Sequence, residues 1–212
     1  MIIIDFILHC NQYIGDFIAN YGNLVYLLLF AIIFCETGLV FLPFLPGDSL
    51  IFAAGAFAAT SDLNLEILFL IIISAAIIGD TINYEIGKHL GRKIIRNGKL
   101  IKKENLNKAD ALIDKYGSAA VLIARFMPII RTIVPFVVGM GKLEYKKFIP
   151  FNALGGCIWG TLFIMIGYLF GNIPAVKNHF SLIMIAIILI SVSPIIIALI
   201  KNKISKTKTE DK

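Results

Sequence analysis

Lysine and arginine are absent from residues 1–87, although that stretch holds eight of the 14 acidic residues. Charge is scarce throughout. Asp, Glu, Lys and Arg make up 16% of the 212 residues against 58% hydrophobic, and the mean hydropathy is +0.84. A water-soluble domain of this length exposes far more charge, so the composition excludes that class and leaves a membrane protein. Cysteine is also scarce, and Cys10, Cys35 and Cys157 share no paired spacing. That excludes a disulfide framework and a zinc site, and no metal or other cofactor is expected. The first 20 residues have no basic n-region and no small-residue cleavage site, so no cleavable signal peptide is expected. His9, His89 and His179 are isolated beside apolar segments, which suits interfacial positions.

What is present is organised. All 20 basic residues fall in 88–212, beside apolar segments. The positive-inside rule accounts for that placement, and nucleic-acid binding is not expected. The length allows one membrane domain of about four to six hydrophobic elements of roughly 20 residues. Residues 1–22 mix apolar side chains with Asp5, His9, Asn11, Gln12 and Asp16 at helical spacing, and read as an amphipathic helix in the interface. The membrane domain follows over 23–200. Its first stretch, 24–59, is apolar but broken by Pro43, Pro46 and Gly47, and it carries Glu36 and Asp48. Residues 65–87 form an uninterrupted span with Asp80 and Glu85 late in it, and the basic, polar stretch 88–117 reads as cytoplasmic with a break at Gly98. A Lys-rich cytoplasmic tail occupies 201–212.

Residues 118–141 place Arg125 and Arg131 in an apolar run broken by Pro128 and Pro135. If that run were a single span, the lysines at 142, 146 and 147 and those of the tail would lie on the opposite side from the basic stretch before it. A re-entrant segment keeps all three clusters cytoplasmic, with spans at about 148–171 and 180–200. The two broken stretches then read as a degenerate repeat. Asp48 precedes Gly55 by seven residues and Arg131 precedes Gly139 by eight, and the spans after them end in Gly87-Lys-His-Leu-Gly91 and Gly167-Tyr-Leu-Phe-Gly171. Broken helices in corresponding positions of two halves point to a transport site near the midplane. The fold class expected is an all-α polytopic membrane protein. It comprises two opposed re-entrant helical hairpins, about three full spans and the N-terminal amphipathic helix.

Charges inside a bilayer are costly. Unpaired, Glu36, Asp48, Arg125 and Arg131 together would cost about 10–14 kcal/mol, at roughly 2.5–3.5 kcal/mol each. Pairing the acids of the first hairpin with the arginines of the second removes that cost. A structural ion-pair cluster is the bland reading; a substrate or proton path is the functional one. Asp48 also suits a helix N-cap after Pro46-Gly47. Arg131, near the start of a helical arm after Pro128, opposes the helix dipole, which favours an anion there. Asp80 either lines the same cavity or reaches the interface. Glycine pairs such as Gly156 and Gly160 fit close helix packing. The string Gly47-Asp48-Ser49-Leu50 matches an esterase signature, but no partner Asp-x-x-His lies near the C-terminus, and no catalytic residues are expected.

Three segments together resemble the DedA family of bacterial membrane proteins, whose shared region is the VTT or SNARE-associated domain. They run from Glu36 to Asp48, through Gly79-Asp80…Tyr84…Gly87, and from Arg125-Phe-Met-Pro128…Arg131-Thr…Pro135…Gly139 on to Phe148, Asn152, Gly156 and Trp159. The resemblance implies opposed re-entrant hairpins, an intramembrane set of acids and arginines, and movement of lipids across the bilayer. It implies undecaprenyl phosphate or phosphatidylethanolamine as the lipid, often with dependence on the proton gradient. The expected activity is therefore a proton-coupled lipid flippase of the bacterial cytoplasmic membrane, with its C-terminus cytoplasmic. Arg125 and Arg131 would hold the headgroup phosphate, while Glu36, Asp48 and Asp80 would exchange protons or pair with the arginines. The expected partners are membrane lipids, protons and a possible second copy of the chain. The rival readings are a phospholipid flippase or scramblase, a proton-coupled small-cation antiporter and, last, an intramembrane enzyme on lipid phosphates.

Overall fold

A computed structural model describes residues 10–39, 47–60, 63–96, 103–127, 129–174 and 176. Within them the regular structure is helical throughout. The chain runs α1 (Cys10–Gly38), α2 (Gly47–Ala58), α3 (Leu65–Arg96), α4 (Lys103–Tyr116), α5 (Ala119–Ala124), α6 (Ile130–Val137), a π turn (Val138–Lys142) and α7 (Tyr145–Gly171). Two helices are long and apolar enough to cross a membrane, over Leu65–Gly91 and Tyr145–Gly171; shorter apolar helices lie at Leu24–Gly38, Gly47–Ala58 and Ile130–Gly141.

Local chemistry sets several boundaries. Asn64 starts α3 by accepting the backbone N–H groups of Glu66 and Ile67 at 2.9 and 3.1 Å, as N-caps do. The Tyr26 hydroxyl holds that cap to α1, accepting the Asn64 N–H at 2.7 Å. Gly117, at φ +57°, ends α4 by donating to the Ile113 carbonyl, a left-handed terminus that glycine adopts without strain. Gly141, at φ +117°, closes the π turn.

Three elements differ from the sequence expectation. Residues 10–22 are not a separate helix but run unbroken into the apolar stretch as one 29-residue α1. The span expected at 65–87 continues to Arg96, because nothing in the basic stretch interrupts its helical hydrogen bonding. Pro135 does not break its helix but sits inside α6. It withholds one donor, that for the Arg131 carbonyl, while its neighbours from Thr132 to Val137 are all buried against other helices. The interruption comes later, at the π turn. Pro43, Pro46 and Pro128, assigned to hairpin formation, lie outside the described residues, as do the span at 180–200 and the tail.

The packing exchanges elements between two halves. α2 packs on α7, and α6 with its π turn packs on α3. Glycines permit the approach: an added Cβ at Gly55 would strike the Ile164 backbone, and one at Gly167 would strike the Phe52 carbonyl. The other half repeats this, with Gly139 against the Tyr84 carbonyl and Gly87 against that of Phe136. The spacings match as well: Phe52 and Gly55 stand as Phe136 and Gly139 do, and Tyr84 and Gly87 as Ile164 and Gly167 do. The repeat read from the sequence is thus a repeat of contacts. One apolar cluster gathers α1, α2, α3 and α7 around Ile33, Ile72 and Trp159; another gathers α3 to α7 around Phe136 and Phe148.

Candidate functional site

The buried charges lie where these elements cross, and they form two groups. In the first, Arg131 stands one residue into α6, with its backbone N–H bonded to the Met127 carbonyl. Its guanidinium forks between two acids from the first broken stretch. Nη1 donates to Asp48 Oδ1 at 2.7 Å, and Nη2 pairs with Glu36 Oε1. The planar fork of arginine suits two carboxylates at once, which a lysine cannot reproduce.

The two acids are held differently. Glu36, in the last turn of α1, has a side chain only 3% exposed and also accepts the Gly47 backbone N–H at 3.2 Å. Its carboxylate lies where a Cβ on residue 47 would be, so a larger residue there would displace the Glu36 carboxylate. Its Oε2 is buried without a hydrogen-bond partner among the described residues. Asp48 lies within the first turn of α2, and its side chain is 42% exposed against 10% for Arg131. Asp48 Oδ1 takes a second donor, the indole N–H of Trp159 at 3.1 Å. The capping role considered for Asp48 gives way to these side-chain partners, since the helix already begins at Gly47.

The second group departs from expectation. Arg125 does not meet the acids of the first stretch. It follows the six-residue α5 and pairs with Asp80 of α3 at 2.6 Å, both side chains 4% exposed. The same nitrogen, Nη2, donates to Asn152 Oδ1 at 2.6 Å, and the Asn152 amide donates to the Ile77 carbonyl at 3.0 Å. The short helix delivers Arg125 to the face shared by α3 and α7, where its described partners are Asp80, the Ala76 carbonyl and Asn152. Gly155 makes room: a Cβ there would press on the Arg125 side chain.

Trp159 stands between the groups. The guanidinium carbons of Arg131 and Arg125 lie 5.3 and 5.9 Å from its ring centroid, within range of cation–π attraction. This role was not legible beforehand. Neither was that of Asn83, whose side-chain amide donates to the Thr37 and Thr132 carbonyls at 3.1 and 2.6 Å. Asn83 lies three residues beyond Asp80, on the same face of α3, and that spacing was the available signal.

The VTT domain, as a family, matches residues 45–169. Protein DedA of Escherichia coli K12 is 44% identical over 205 residues, covering 95% of this chain and 94% of the relative. A membrane protein of Mycobacterium leprae is 33% identical over 180 residues, 84% of this chain and 81% of its own length. The inner membrane protein YghB of Escherichia coli K12 is 34% identical over 159 residues, 74% and 73% of the two chains. No solved structure matches.

Proposed function

The chain belongs to the DedA family of VTT-domain membrane proteins, and on that premise we propose that it is a transporter moving a phosphate-headed lipid, undecaprenyl (polyprenyl) phosphate, across the bacterial inner membrane with proton coupling. The observation that carries this reading is the fork of Arg131 between Glu36 and Asp48. An arginine that neutralises two carboxylates can release one of them to an arriving phosphate, which offers the same bidentate acceptor geometry. The Asp48 side, the more open of the two, is where the headgroup enters.

Proton coupling follows from charge conservation at the site. When a phosphate takes Arg131, a displaced carboxylate in a low-dielectric setting needs a new partner, and a proton is the smallest one. Loss of that proton on the other side restores the ion pair and ejects the lipid. Trp159 keeps a donor on Asp48 during the exchange. Arg125, enclosed by Asp80 and Asn152, holds α5 against α3 and α7, leaving the headgroup to Arg131. In the membrane the two broken stretches are re-entrant hairpins from opposite faces, and the C-terminus is cytoplasmic.

One observation favours a second reading. The Glu36 Oε2, without a hydrogen-bond partner among the described residues, lies on the carboxylate that shares Arg131 with Asp48, and two such acids suit a small cation, as in a proton-coupled antiporter. Vesicles containing the protein, loaded with labelled polyprenyl phosphate in one leaflet, separate the two. Lipid movement well above that of an Arg131→Ala control supports the flippase. Collapse of an imposed ΔpH by Na⁺ or K⁺ without lipid movement supports the antiporter.

A further inference from the structure

Asn83 lies on α3 with no exposed surface, and its neighbours fix which way its amide faces. Two carbonyl oxygens, those of Thr37 and Thr132, stand at hydrogen-bond distance from one side-chain atom, so that atom is the nitrogen donating both its hydrogens. Thr37 adjoins Glu36 in the chain, and Thr132 adjoins Arg131. The two backbones that carry the ion pair are therefore joined through a single planar –NH₂ group. Thr37 lies in the last turn of α1, where carbonyls lose their intrahelical donors, so an outside donor there has a strong hold. The Asn83 Oδ1 is buried with no hydrogen-bond partner among the described residues. An apolar side chain of the same size would avoid that loss, yet could not tie the two carbonyls.

We infer that Asn83 is a positioning residue for the transport site: by bonding the carbonyls next to Glu36 and Arg131 it sets the distance between those two side chains. The planar amide holds its two hydrogens about 120° apart, so the separation of the carbonyl oxygens is fixed rather than adjustable. Among the described residues the Asn83 amide bonds the backbones of α1 and α6 and not the side chains of Glu36, Asp48 or Arg131. The assignment of transport rests on the reading above; the positioning of the pair does not.

The test is a double-mutant cycle on the full chain in detergent, using Glu36→Gln, Arg131→Gln and the double variant, read as thermal midpoints. It is run once with Asn83 present and once with Asn83→Ala. Positioning predicts that the non-additivity between residues 36 and 131 falls to less than half when Asn83 is replaced. Midpoints that all drop equally, with the non-additivity intact, would show a purely structural brace and overturn the inference. If Asn83→Ala does not fold, the Asn83 side-chain amide resonances of ¹⁵N-labelled protein decide. They shift on Glu36→Gln if the brace and the pair are linked, and unmoved resonances overturn the link.

A transport arm separates the two claims. In vesicles with labelled polyprenyl phosphate, Asn83→Ala is expected to slow lipid movement by about tenfold or more, up to the roughly 100-fold cost of a misplacement near 1 Å. If Arg131→Ala abolishes movement and Asn83→Ala leaves it intact, the inference fails. Should neither variant alter lipid movement while the coupling still collapses, the positioning stands and the transport reading fails.

Discussion

Arg131 and Asp48, 83 residues apart in the chain, meet at 2.7 Å with one end of the pair enclosed and the other open: Arg131 is 10% exposed and Asp48 42%. That gradient makes the pair suited to exchange. Glu36, 3% exposed, is closed to a replacement for Arg131, whereas the Asp48 carboxylate is the more open of the two. Removal of Arg131 thus leaves Glu36 stranded, and Arg131→Ala is expected to cost about 3–5 kcal/mol, with Arg131→Ala/Glu36→Gln recovering much of it. Denaturant or thermal unfolding in detergent checks this; a double variant no more stable than the single one would contradict it.

Arg125 and Asp80 form the more enclosed pair, a bridge from the end of α5 to α3. Asp80→Asn leaves Arg125 buried without its counter-charge and is expected to be as costly as Arg131→Ala, about 3–5 kcal/mol. Adding Arg125→Met to Asp80→Asn is expected to restore at least half of that loss. Equal instability of the single and double variants, measured by unfolding, would argue against the pairing.

Trp159 combines packing with one hydrogen bond, and two substitutions separate them. Trp159→Phe keeps the ring but drops the donor to Asp48. Because Asp48 is 42% exposed and keeps its bond to Arg131, the loss is expected to be about 1 kcal/mol or less. Trp159→Ala empties a fully buried site and is expected to cost about 3–5 kcal/mol. Similar midpoints for the two variants would show that packing is not what Trp159 mainly supplies.

The glycine contacts carry a graded expectation. Gly87→Ala and Gly167→Ala each drive a Cβ into a carbonyl of the opposing helix, Phe136 or Phe52, where only backbone movement gives relief. Each is expected to cost about 1–3 kcal/mol. Gly156→Ala meets the Ile77 side chain at 2.9 Å, which can turn aside, and is expected to cost less. Unfolding midpoints in the reverse order would undo the account of how α3 and α7 receive the second helix of each half.

The sequence showed the membrane class, the broken stretches and the repeat, because apolar runs, prolines and paired glycines leave local marks. It also showed that intramembrane acids and arginines must find one another. Their partners were harder. Nothing local distinguishes Arg125 from Arg131; the difference arises because α5 is short and packs on α7, with Arg125 after its end reaching Asp80 of α3, while Arg131 at the start of α6 reaches Glu36 of α1 and Asp48 of α2. Pro135 misled for a related reason: its helix is held by neighbours on every side, and burial outweighs one missing donor. Asn83 and Trp159 act only through contacts made across the fold, so their residue types alone carried little signal.

The most direct test of the central claim is the movement of labelled polyprenyl phosphate between leaflets of vesicles holding the protein, with an imposed pH gradient, compared between the unaltered chain and Arg131→Lys. Lysine keeps the positive charge but not the fork. The account predicts gradient-dependent movement for the unaltered chain and little above protein-free vesicles for a folded Arg131→Lys variant. Equal movement by both, or none by either, would contradict it.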